Sequence, residues 1–258
     1  MNVEKDTWDR LREYIKESEN IVFFGGAGVS TESGIKDFRS KDGLYNQHDV
    51  QFEKYQPEYL LSHSCLYHEP KVFFEYYRQK MNCEGVLPNV THKTLAKLED
   101  MGKLSAVVTQ NIDGLHQMAG SRKVFELHGT THKNYCVKCG RRVDENYIYD
   151  SKDPIPLCPD CGGMIRPEVV LYEEGLPDDA VYGALEAIGN ADMLIVAGTS
   201  LTVYPAAGFV HKFRGKHIVV INRDRLDLQL DESTDLAFYC SMGEVFRKIE
   251  EWIKNKEL

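Results

Sequence analysis

Short apolar runs alternate with amphipathic stretches along this chain of 258 residues. The apolar runs are rich in β-branched and aromatic side chains, as buried parallel strands are. They are IVFF (21–24), the start of LSAVVTQNID (104–113), VFELHG (124–129), MLIVAG (193–198) and KHIVVINRD (216–224), which is predicted to be the last strand. Helical spacing predicts helices before Asn20, at Pro57 to Leu61, at Pro70 to Met81, over 91–102, over 181–190 and at the carboxyl end, with a further helix opening at Thr31.

Strands that alternate with helices, each strand ending in polar or glycine residues, predict a parallel, doubly wound sheet. The predicted fold class is therefore α/β, with a Rossmann-like sheet and a small module that carries paired cysteines. Ligands of such sheets bind at the carboxyl ends of the strands. Here those ends carry GGAGVS, TQNID, HG, GTS and NRD, so we expect these groups to converge on one ligand.

The first strand end opens the glycine-rich stretch FFGGAGVSTESGIKDFRS (23–40). Bare backbone N–H groups at a helix N-terminus suit a phosphate, and Asp37, Phe38 and Arg39 add charge and an aromatic wall. The stretch departs from the usual dinucleotide fingerprint, because Thr31 replaces the third glycine and no strand-ending acid follows about 20 residues later. A P-loop is excluded, since no Gly-Lys-Ser/Thr follows. The stretch predicts a phosphate-ligand loop, with a plain structural turn as the alternative.

Four cysteines form two C-x2-C pairs, Cys136 with Cys139 and Cys158 with Cys161, and 18 residues separate the pairs. Four thiolates at this spacing can surround one tetrahedral zinc ion. A full set of four thiolates leaves no open coordination position, so the predicted zinc is structural. Two dithiol redox pairs are the alternative interpretation.

Three other strand ends carry groups that could bind a nucleotide. Gln110, Asn111 and Asp113 could bond a carboxamide or a ribose, although an Asx turn that caps the next helix would use the same residues. Gly198-Thr199-Ser200 and Asn222-Arg223-Asp224 offer hydroxyls, backbone amides and side chains that suit phosphates, a ribose or an adenine. For both, the alternative is an ordinary loop between secondary-structure elements that binds no ligand.

His128 ends a short strand directly before Gly129, at the edge where the ligand is expected. A neutral imidazole there could act as a general base near neutral pH. A structural histidine satisfied by its neighbours is the alternative. The other histidines show no equivalent placement: His48, His63, His68, His92, His116, His132, His211 and His217.

Composition and charge narrow the class of protein. The hydrophobic fraction of 42% and the charged fraction of 28% are typical of soluble globular proteins. A formal charge of −9 argues against general nucleic-acid binding, which needs a cationic face. No run approaches the roughly 18 apolar residues of a membrane span, and no signal peptide is recognisable. We therefore expect a cytoplasmic protein without disulfides, in which Cys65, Cys83 and Cys240 are buried thiols.

Taken together and in order, these motifs resemble the sirtuin family of NAD-dependent protein lysine deacylases. The resemblance runs from about Asn20 to Asp224 and rests on GAGVSTESGIKDFR (26–39), TQNID (109–113), HG (128–129), both C-x2-C pairs, GTSL (198–201) and INRD (221–224). Sirtuins bind NAD in an inverted variant of the dinucleotide site. The resemblance implies transfer of an acetyl group from acetyl-lysine to ADP-ribose, with release of nicotinamide and O-acetyl-ADP-ribose.

The resemblance also implies roles for individual residues. His128 matches the general base of the family, and Asn111 belongs to the same catalytic group. The implied NAD contacts are Gly26, Ala27, Thr31, Asp37, Phe38, Arg39, Gln110, Ile112, Asp113, Gly198, Thr199, Ser200 and Asn222. The implied cofactors are NAD and zinc, and the implied partners are acetylated-lysine proteins or peptides, with neither nucleic acid nor a membrane.

RPEVVLYEEGLP (166–177) is similar to the family segment that leads from the zinc module to the main domain and pairs with substrate peptide as an added strand. Val170 and Tyr172 fall where substrate contacts are expected. The residues LYEE (171–174) depart from the commoner aromatic-aromatic-glycine-glutamate form. The preferred peptide sequence therefore does not follow from the resemblance.

The acyl preference can be argued from one more family pattern. Sirtuins that prefer succinyl or malonyl groups carry Tyr-x-x-Arg in the helical segment after the first loop. Here Arg78 is preceded three residues earlier by Glu75, which would repel an acyl carboxylate. Acetyl and other uncharged acyl groups are therefore expected.

Two domains with an active cleft between them are predicted. The NAD-binding domain comprises 1–40, 91–130 and 168–258, and the small domain comprises 41–90 and 131–167. An NAD-dependent protein ADP-ribosyltransferase is one alternative function, and a non-catalytic sensor of NAD or ADP-ribose is another. His128, Asn111 and Asp113 argue against the sensor, because binding alone needs no base beside the ribose.

Overall fold

The computed structural model of the chain describes residues 5–46 and 49–258, so His48 lies outside the described residues. The described residues form nine β-strands: β1 (Ile21–Gly25), β2 (Leu104–Thr109), β3 (Val124–Glu126), β4 (Gly129–Cys136), β5 (Arg142–Val143), β6 (Ile165–Val169), β7 (Met193–Ala197), β8 (His217–Ile221) and β9 (Leu236–Phe238). They also form nine α-helices: α1 (Lys5–Glu17), α2 (Pro57–Leu60), α3 (His63–His68), α4 (Pro70–Lys80), α5 (Val90–Asp100), α6 (Leu115–Met118), α7 (Tyr147–Asp150), α8 (Asp178–Asn190) and α9 (Met242–Lys254). Short 3-10 helices span Ala27–Ser33, Leu44–Asn46 and Ala206–Lys212.

Six strands form one parallel sheet in the order β3-β2-β1-β7-β8-β9. Counted among themselves, they follow the 3-2-1-4-5-6 order of the Rossmann fold. Strand order reverses between β1 and β7, which pair from Ile21 with Met193 to Gly25 with Ala197. The chain leaves these two strands toward opposite sides, and a crevice opens at their carboxyl ends. The predicted parallel, doubly wound sheet is therefore confirmed.

Helices cover both faces of this sheet because its central strands are apolar on both faces. On one face α1, α5 and α9 pack with Phe23, Leu95 and Phe246 in one core. On the other face α8 and the 3-10 helix Ala206–Lys212 pack around Phe24 and Ile188. Adjacent residues of one strand thus serve opposite cores, as the alternation of a strand requires. Among the described residues, no helix has the length and apolar character needed to cross a membrane.

A smaller, third core lies beside the carboxyl edge of the large sheet. It combines Phe73, Phe74 and Tyr77 of α4 with Cys136 and Ile165 of an antiparallel sheet in the order β5-β4-β6. The helical insert and the cysteine-rich segment therefore share one apolar core. This supports the predicted small module, while its exact boundaries stay a prediction.

Two local predictions were wrong. No α-helix opens at Thr31, because a 3-10 helix ends at Gly34, whose φ is 95°. The last strand of the sheet is β9, which has too few residues to show a period. The cysteine-rich segment also holds β4 to β6, for which the sequence analysis made no prediction, because their buried and exposed positions do not alternate regularly.

Candidate active site

The loops that follow β1 and β7 touch through their glycines. The Gly26 N–H donates to the carbonyl of Ala197 at 3.3 Å, and the Gly28 N–H donates to that of Gly198 at 2.8 Å. A Cβ on Gly28 would lie 2.8 Å from the Cα of Gly198. Gly198 itself has a φ of 58°, and a Cβ there would lie 2.6 Å from the nitrogen of Val29. Glycines are thus required here because the two backbones approach each other closely, and this requirement holds whether or not a ligand is bound.

The two loops border a cleft of about 600 Å³, a size typical of small-molecule sites. The small module forms the opposite wall, with Leu61, Tyr77 and Lys80 among its lining residues. The structure places in this cleft every residue predicted to act on NAD or peptide: Gly26, Ala27, Thr31, Asp37, Phe38, Arg39, Gln110, Asn111, Ile112, Asp113, His128, Val170, Tyr172, Gly198, Thr199, Ser200 and Asn222. Strand ends that are far apart in sequence therefore converge as expected.

A buried network joins the first glycine loop to the end of β2. The Ser30 hydroxyl donates to the Asp113 carboxylate at 2.6 Å and accepts from the Asn111 amide at 3.0 Å. Asp113 also accepts the Leu115 N–H at 3.0 Å, which starts α6. Burial raises the pKa of Asp113, and the hydrogen bonds from Ser30 and Leu115 oppose that rise. Ser30 thus orients both polar side chains of the turn, and sequence reasoning did not single it out.

His128 is held in one tautomer. Its Nδ1 lies 2.8 Å from the carbonyl oxygen of Gln110, which can only accept, so Nδ1 carries the proton. Nε2 is then left as the basic nitrogen of the neutral ring. Burial lowers the pKa of His128, and the bond to Gln110 raises it by a smaller amount. A neutral imidazole with a free lone pair therefore faces the cleft at pH 7.

The end of β6 approaches His128 from the small module. The Val170 N–H donates to the His128 carbonyl at 2.9 Å. Arg166 donates to both carboxylate oxygens of Glu174, at 2.6 and 2.9 Å, and the Leu171 N–H donates to the same carboxylate at 3.0 Å. Burial acts to raise the pKa of Glu174, but these bonds prevail and lower it to about 2. The segment 170–174 is therefore held by hydrogen bonds to His128 at one end and to Arg166 at the other.

Glu173 explains the departure from the usual family sequence in this segment. Its φ is 75°, a backbone region that favours glycine over residues with a Cβ. Its carboxylate accepts the N–H of Ser64 at 2.9 Å, in the first turn of α3. This bond satisfies a backbone donor at the start of a helix. The hydrogen bond of the Glu173 side chain thus offsets the backbone strain that a glycine at this position would avoid.

The end of β7 lies on the other side of the cleft. The Gln110 amide donates to the Thr199 hydroxyl at 3.2 Å, which links the ends of β2 and β7. Thr199 is buried, whereas Ser200 is exposed. Ser200 and Asn222 hydrogen-bond within their own loops. These groups form a polar rim that fits the predicted nucleotide side.

The paired cysteines form a compact cluster in the small module. Their sulfur atoms all lie within 4.8 Å of one another, with Cys136 3.5 Å from Cys161 and Cys139 3.8 Å from Cys158. A tetrahedron of zinc–sulfur bonds about 2.3 Å long places sulfurs about 3.8 Å apart. The cluster therefore fits one structural zinc ion held by these four residues. All seven cysteines of the chain are free thiols, which leaves no disulfide to compete.

The residues used to argue acyl preference do not face the cleft. The guanidinium of Arg78 donates to the carbonyls of Ile148, Asp153 and Pro154 in the small module. Neither Arg78 nor the exposed Glu75 is among the described residues that line the cleft. The interpretation that Glu75 repels a charged acyl group was therefore wrong, because helix periodicity turns both side chains away from the site.

Residues 26–205 match the family model described as the Sir2 family. The chain belongs to the Sir2 family. It is 53% identical over 246 residues to the NAD-dependent protein deacetylase of Clostridium perfringens (strain 13 / Type A), which covers 95% of this chain and 98% of that relative. The sirtuin resemblance predicted from the motifs is thereby confirmed.

Solved Sir2 structures share the whole architecture. A Sir2 variant with a deacetylated p53 peptide and 3′-O-acetyl ADP ribose has a TM-score of 0.84 and 35% identity, over 95% of this chain and 98% of that one. A Sir2 protein bound to a propionylated peptide has a TM-score of 0.80 and 34% identity, over 95% and 98%. The Rossmann-like sheet with a zinc-ribbon module is therefore the fold of this Sir2 chain.

Some cleft residues of this Sir2 chain carried no recognisable sequence signal. Tyr45 and Lys80 line the cleft from segments without a motif.

Cys65 is buried as predicted, and burial raises the pKa of its thiol to about 12. Cys83 and Cys240 are only half-buried and line the cleft, which the prediction of buried thiols missed.

Proposed function

We propose that this chain is an NAD-dependent protein lysine deacetylase, which transfers the acetyl group of an acetyl-lysine to ADP-ribose and releases nicotinamide and O-acetyl-ADP-ribose. The observation that carries the proposal is the position of His128, with its basic nitrogen in the cleft between the glycine loops and the segment 170–172. Membership of the Sir2 family and a relative named as a deacetylase support it. NAD supplies the electrophilic ribose carbon when bound, so the protein need not provide a nucleophile.

His128 acts as the general base in this proposal. The Gln110 carbonyl holds the proton on Nδ1, so Nε2 accepts a proton from a hydroxyl of the ribose. Asn111 and Asp113 are held by Ser30 at the floor of the cleft, where they orient the nicotinamide end. Both side chains are buried, which shields this end of the cleft from bulk water.

The two walls take different parts of the substrates. The polar rim of Thr199, Ser200 and Asn222 receives the adenosine side of NAD, next to the glycine loop. Val170 and Tyr172 receive the peptide, which pairs with this extended segment through its backbone. Because pairing through the backbone depends little on the peptide's side chains, acetylated lysines in many proteins fit the same cleft.

The test is an assay of acetyl-lysine peptide with NAD that follows nicotinamide release and the mass of the peptide. Succinyl-lysine peptide is run beside it, because Glu75 and Arg78 no longer argue for either acyl group. His128→Ala is the matched variant, and we expect it to lower kcat/KM by about 10²- to 10⁴-fold, as loss of a general base does.

The outcomes separate the candidate functions. A peptide that is lighter by the acetyl group exchanged for hydrogen, with O-acetyl-ADP-ribose as product, supports deacetylation. A heavier peptide with nicotinamide release would indicate an ADP-ribosyltransferase instead. Binding of NAD without any turnover would indicate a sensor.

The domain division and the cytoplasmic location belong to the same proposal. The two cores above and below the large sheet and the third core of the small module support a division at about 41–90 and 131–167. Seven free thiols suit a reducing compartment.

A further inference from the structure

The segment 37–46 forms one wall of the cleft, and we call it the NAD-side loop. Its own hydrogen bonds close it: the Leu44 N–H donates to the Asp37 carbonyl at 2.8 Å, and the Tyr45 N–H donates to that of Phe38 at 2.9 Å. The Asn46 amide donates to the carbonyl of Ser40 at 2.7 Å. The loop therefore keeps its shape by internal contacts, while Phe38 and Leu44 also pack against the core of the small module.

Few polar contacts tie this loop to the rest of the protein. Within the described part of the chain, the side-chain hydrogen bonds that leave it end on one atom, the hydroxyl oxygen of Tyr172. Arg39 donates to this oxygen at 3.1 Å, and the Tyr45 hydroxyl lies 2.9 Å from it. The Arg39 guanidinium also lies 5.5 Å from the centre of the Tyr45 ring, so the three groups form one cluster.

Tyr172 is a rigid anchor for this cluster. Its N–H donates to the Leu61 carbonyl at 3.0 Å, and its carbonyl accepts the His63 N–H at 3.0 Å. Two residues earlier, Val170 donates to His128. The anchor therefore belongs to the segment after β6 that is proposed to receive the peptide, while its hydroxyl reaches the NAD-side loop.

We propose that the Tyr172 hydroxyl is a positioning group that holds the NAD-side loop against the peptide-binding segment. It fixes Phe38 and Arg39 over the cofactor side of the cleft, so the protein binds NAD more tightly when the loop is held. This inference rests on the proposed function for the identity of the ligand, NAD. The contact itself rests only on the geometry of the three side chains.

The test compares Tyr172→Phe with the unchanged protein. The phenyl ring keeps the packing of Tyr172 against the small module, whereas both hydrogen bonds to the loop are lost. We expect the dissociation constant of NAD, measured by calorimetry, to rise about 3- to 10-fold, the range for one or two neutral hydrogen bonds.

Limited proteolysis gives a readout that needs no turnover. Lys41 is exposed at the tip of the loop, and we expect trypsin to cut there several-fold faster in Tyr172→Phe. Tyr45→Phe should act in the same direction but less, since Arg39 keeps its bond, and should add nothing in the Tyr172→Phe background. The matched control is Tyr59→Phe. It removes a tyrosine hydroxyl that donates to the Glu69 carboxylate at 3.0 Å, and this bond lies outside the main cleft.

The outcomes separate this proposal from the proposed function. Faster cleavage at Lys41 with weaker NAD binding supports the positioning role, even if the unchanged protein fails to deacetylate any peptide. Equal cleavage rates and equal NAD affinities would overturn it. A change in peptide KM alone would also overturn it, since Tyr172 would then contact only peptide.

Discussion

At the scale of single residues, the contact between Gly28 and Gly198 sets the geometry of the cleft. We expect Gly28→Ala to lower the free energy of unfolding by about 1–3 kcal/mol, because its methyl would have to push the Gly198 backbone away. NAD binding should weaken as well, since the two loops border the site. Denaturant unfolding and calorimetry measure the two effects.

Gly189 is the matched control for that substitution. It lies exposed in α8, and a Cβ there would meet nothing within 4 Å. Gly189→Ala should therefore raise the free energy of unfolding, by less than the roughly 0.5–1 kcal/mol of a helix interior because Gly189 lies in the last turn of α8. Equal effects of the two substitutions would show that the loop contact is not tight.

The pKa of His128 predicts the acid limb of the pH–rate profile. Burial lowers this pKa from the ordinary value of 6.5, so the neutral, basic form persists to lower pH than in a free histidine. We expect kcat/KM to fall only below pH 6.5 and to level off above it. The measurement is kcat/KM for acetyl-peptide from pH 5 to 8.5, with stability checked at each pH. An acid limb centred above pH 7 would contradict the lowered pKa.

At the scale of elements, the zinc cluster holds the small sheet. Its ligands lie at the end of β4, in the turn after it and just before β6, and β6 leads directly to Val170 in the cleft. We expect Cys158→Ser to reduce bound zinc from about one ion per chain to almost none. The same variant should lose most deacetylation, because the segment beside His128 loses its support.

Zinc content by elemental analysis and melting by circular dichroism check this prediction. Cys240→Ser is the control for zinc content, because Cys240 lies apart from the cluster. Retention of zinc by Cys158→Ser would show that three thiolates suffice. Loss of zinc without loss of activity would show that the small sheet does not depend on the metal.

At the scale of the whole molecule, two buried histidines predict loss of stability in acid. The ring centres of His92 and His116 lie 4.7 Å apart with an interplanar angle of 60°, and the exposed fractions of the two residues are 0% and 1%. Burial lowers the pKa of His92 to about 4. The pKa of His116 lies well below 6.5, mainly because the residue is buried and to a smaller extent because His92 is nearby. The unfolded chain, with ordinary histidines, therefore binds more protons than the folded chain in mild acid.

The sign follows from this difference in bound protons. The free energy of unfolding should be level above pH 6.5 and fall from pH 6.5 toward pH 4, by up to about 1.4 kcal/mol per pH unit for each histidine. His116→Phe removes one titrating group and should reduce this slope, measured by urea unfolding. The exposed His211 is the control, and His211→Gln should leave the slope unchanged. A slope unaffected by His116→Phe would assign the acid sensitivity to other groups.

Five strands of the large sheet, their polar ends and the paired cysteines could be predicted from the sequence, because local patterns record these features. An apolar run such as IVFF is buried on both faces, and a C-x2-C pair is close enough to share a metal whatever the fold around it. Motif order then pointed to the family, and with it to NAD and to His128.

How these pieces meet depends on contacts between residues that are far apart in the sequence. Ser30 joins Asn111 and Asp113, and Tyr172 joins Arg39 and Tyr45, across separations that no local pattern encodes. Arg78 and Glu75 fit a family spacing and yet point away from the cleft, because the packing of α4 sets its rotation. β9 has only three residues and is a strand because β8 offers it a free edge. Such features depend on long-range packing, which local composition and spacing do not specify.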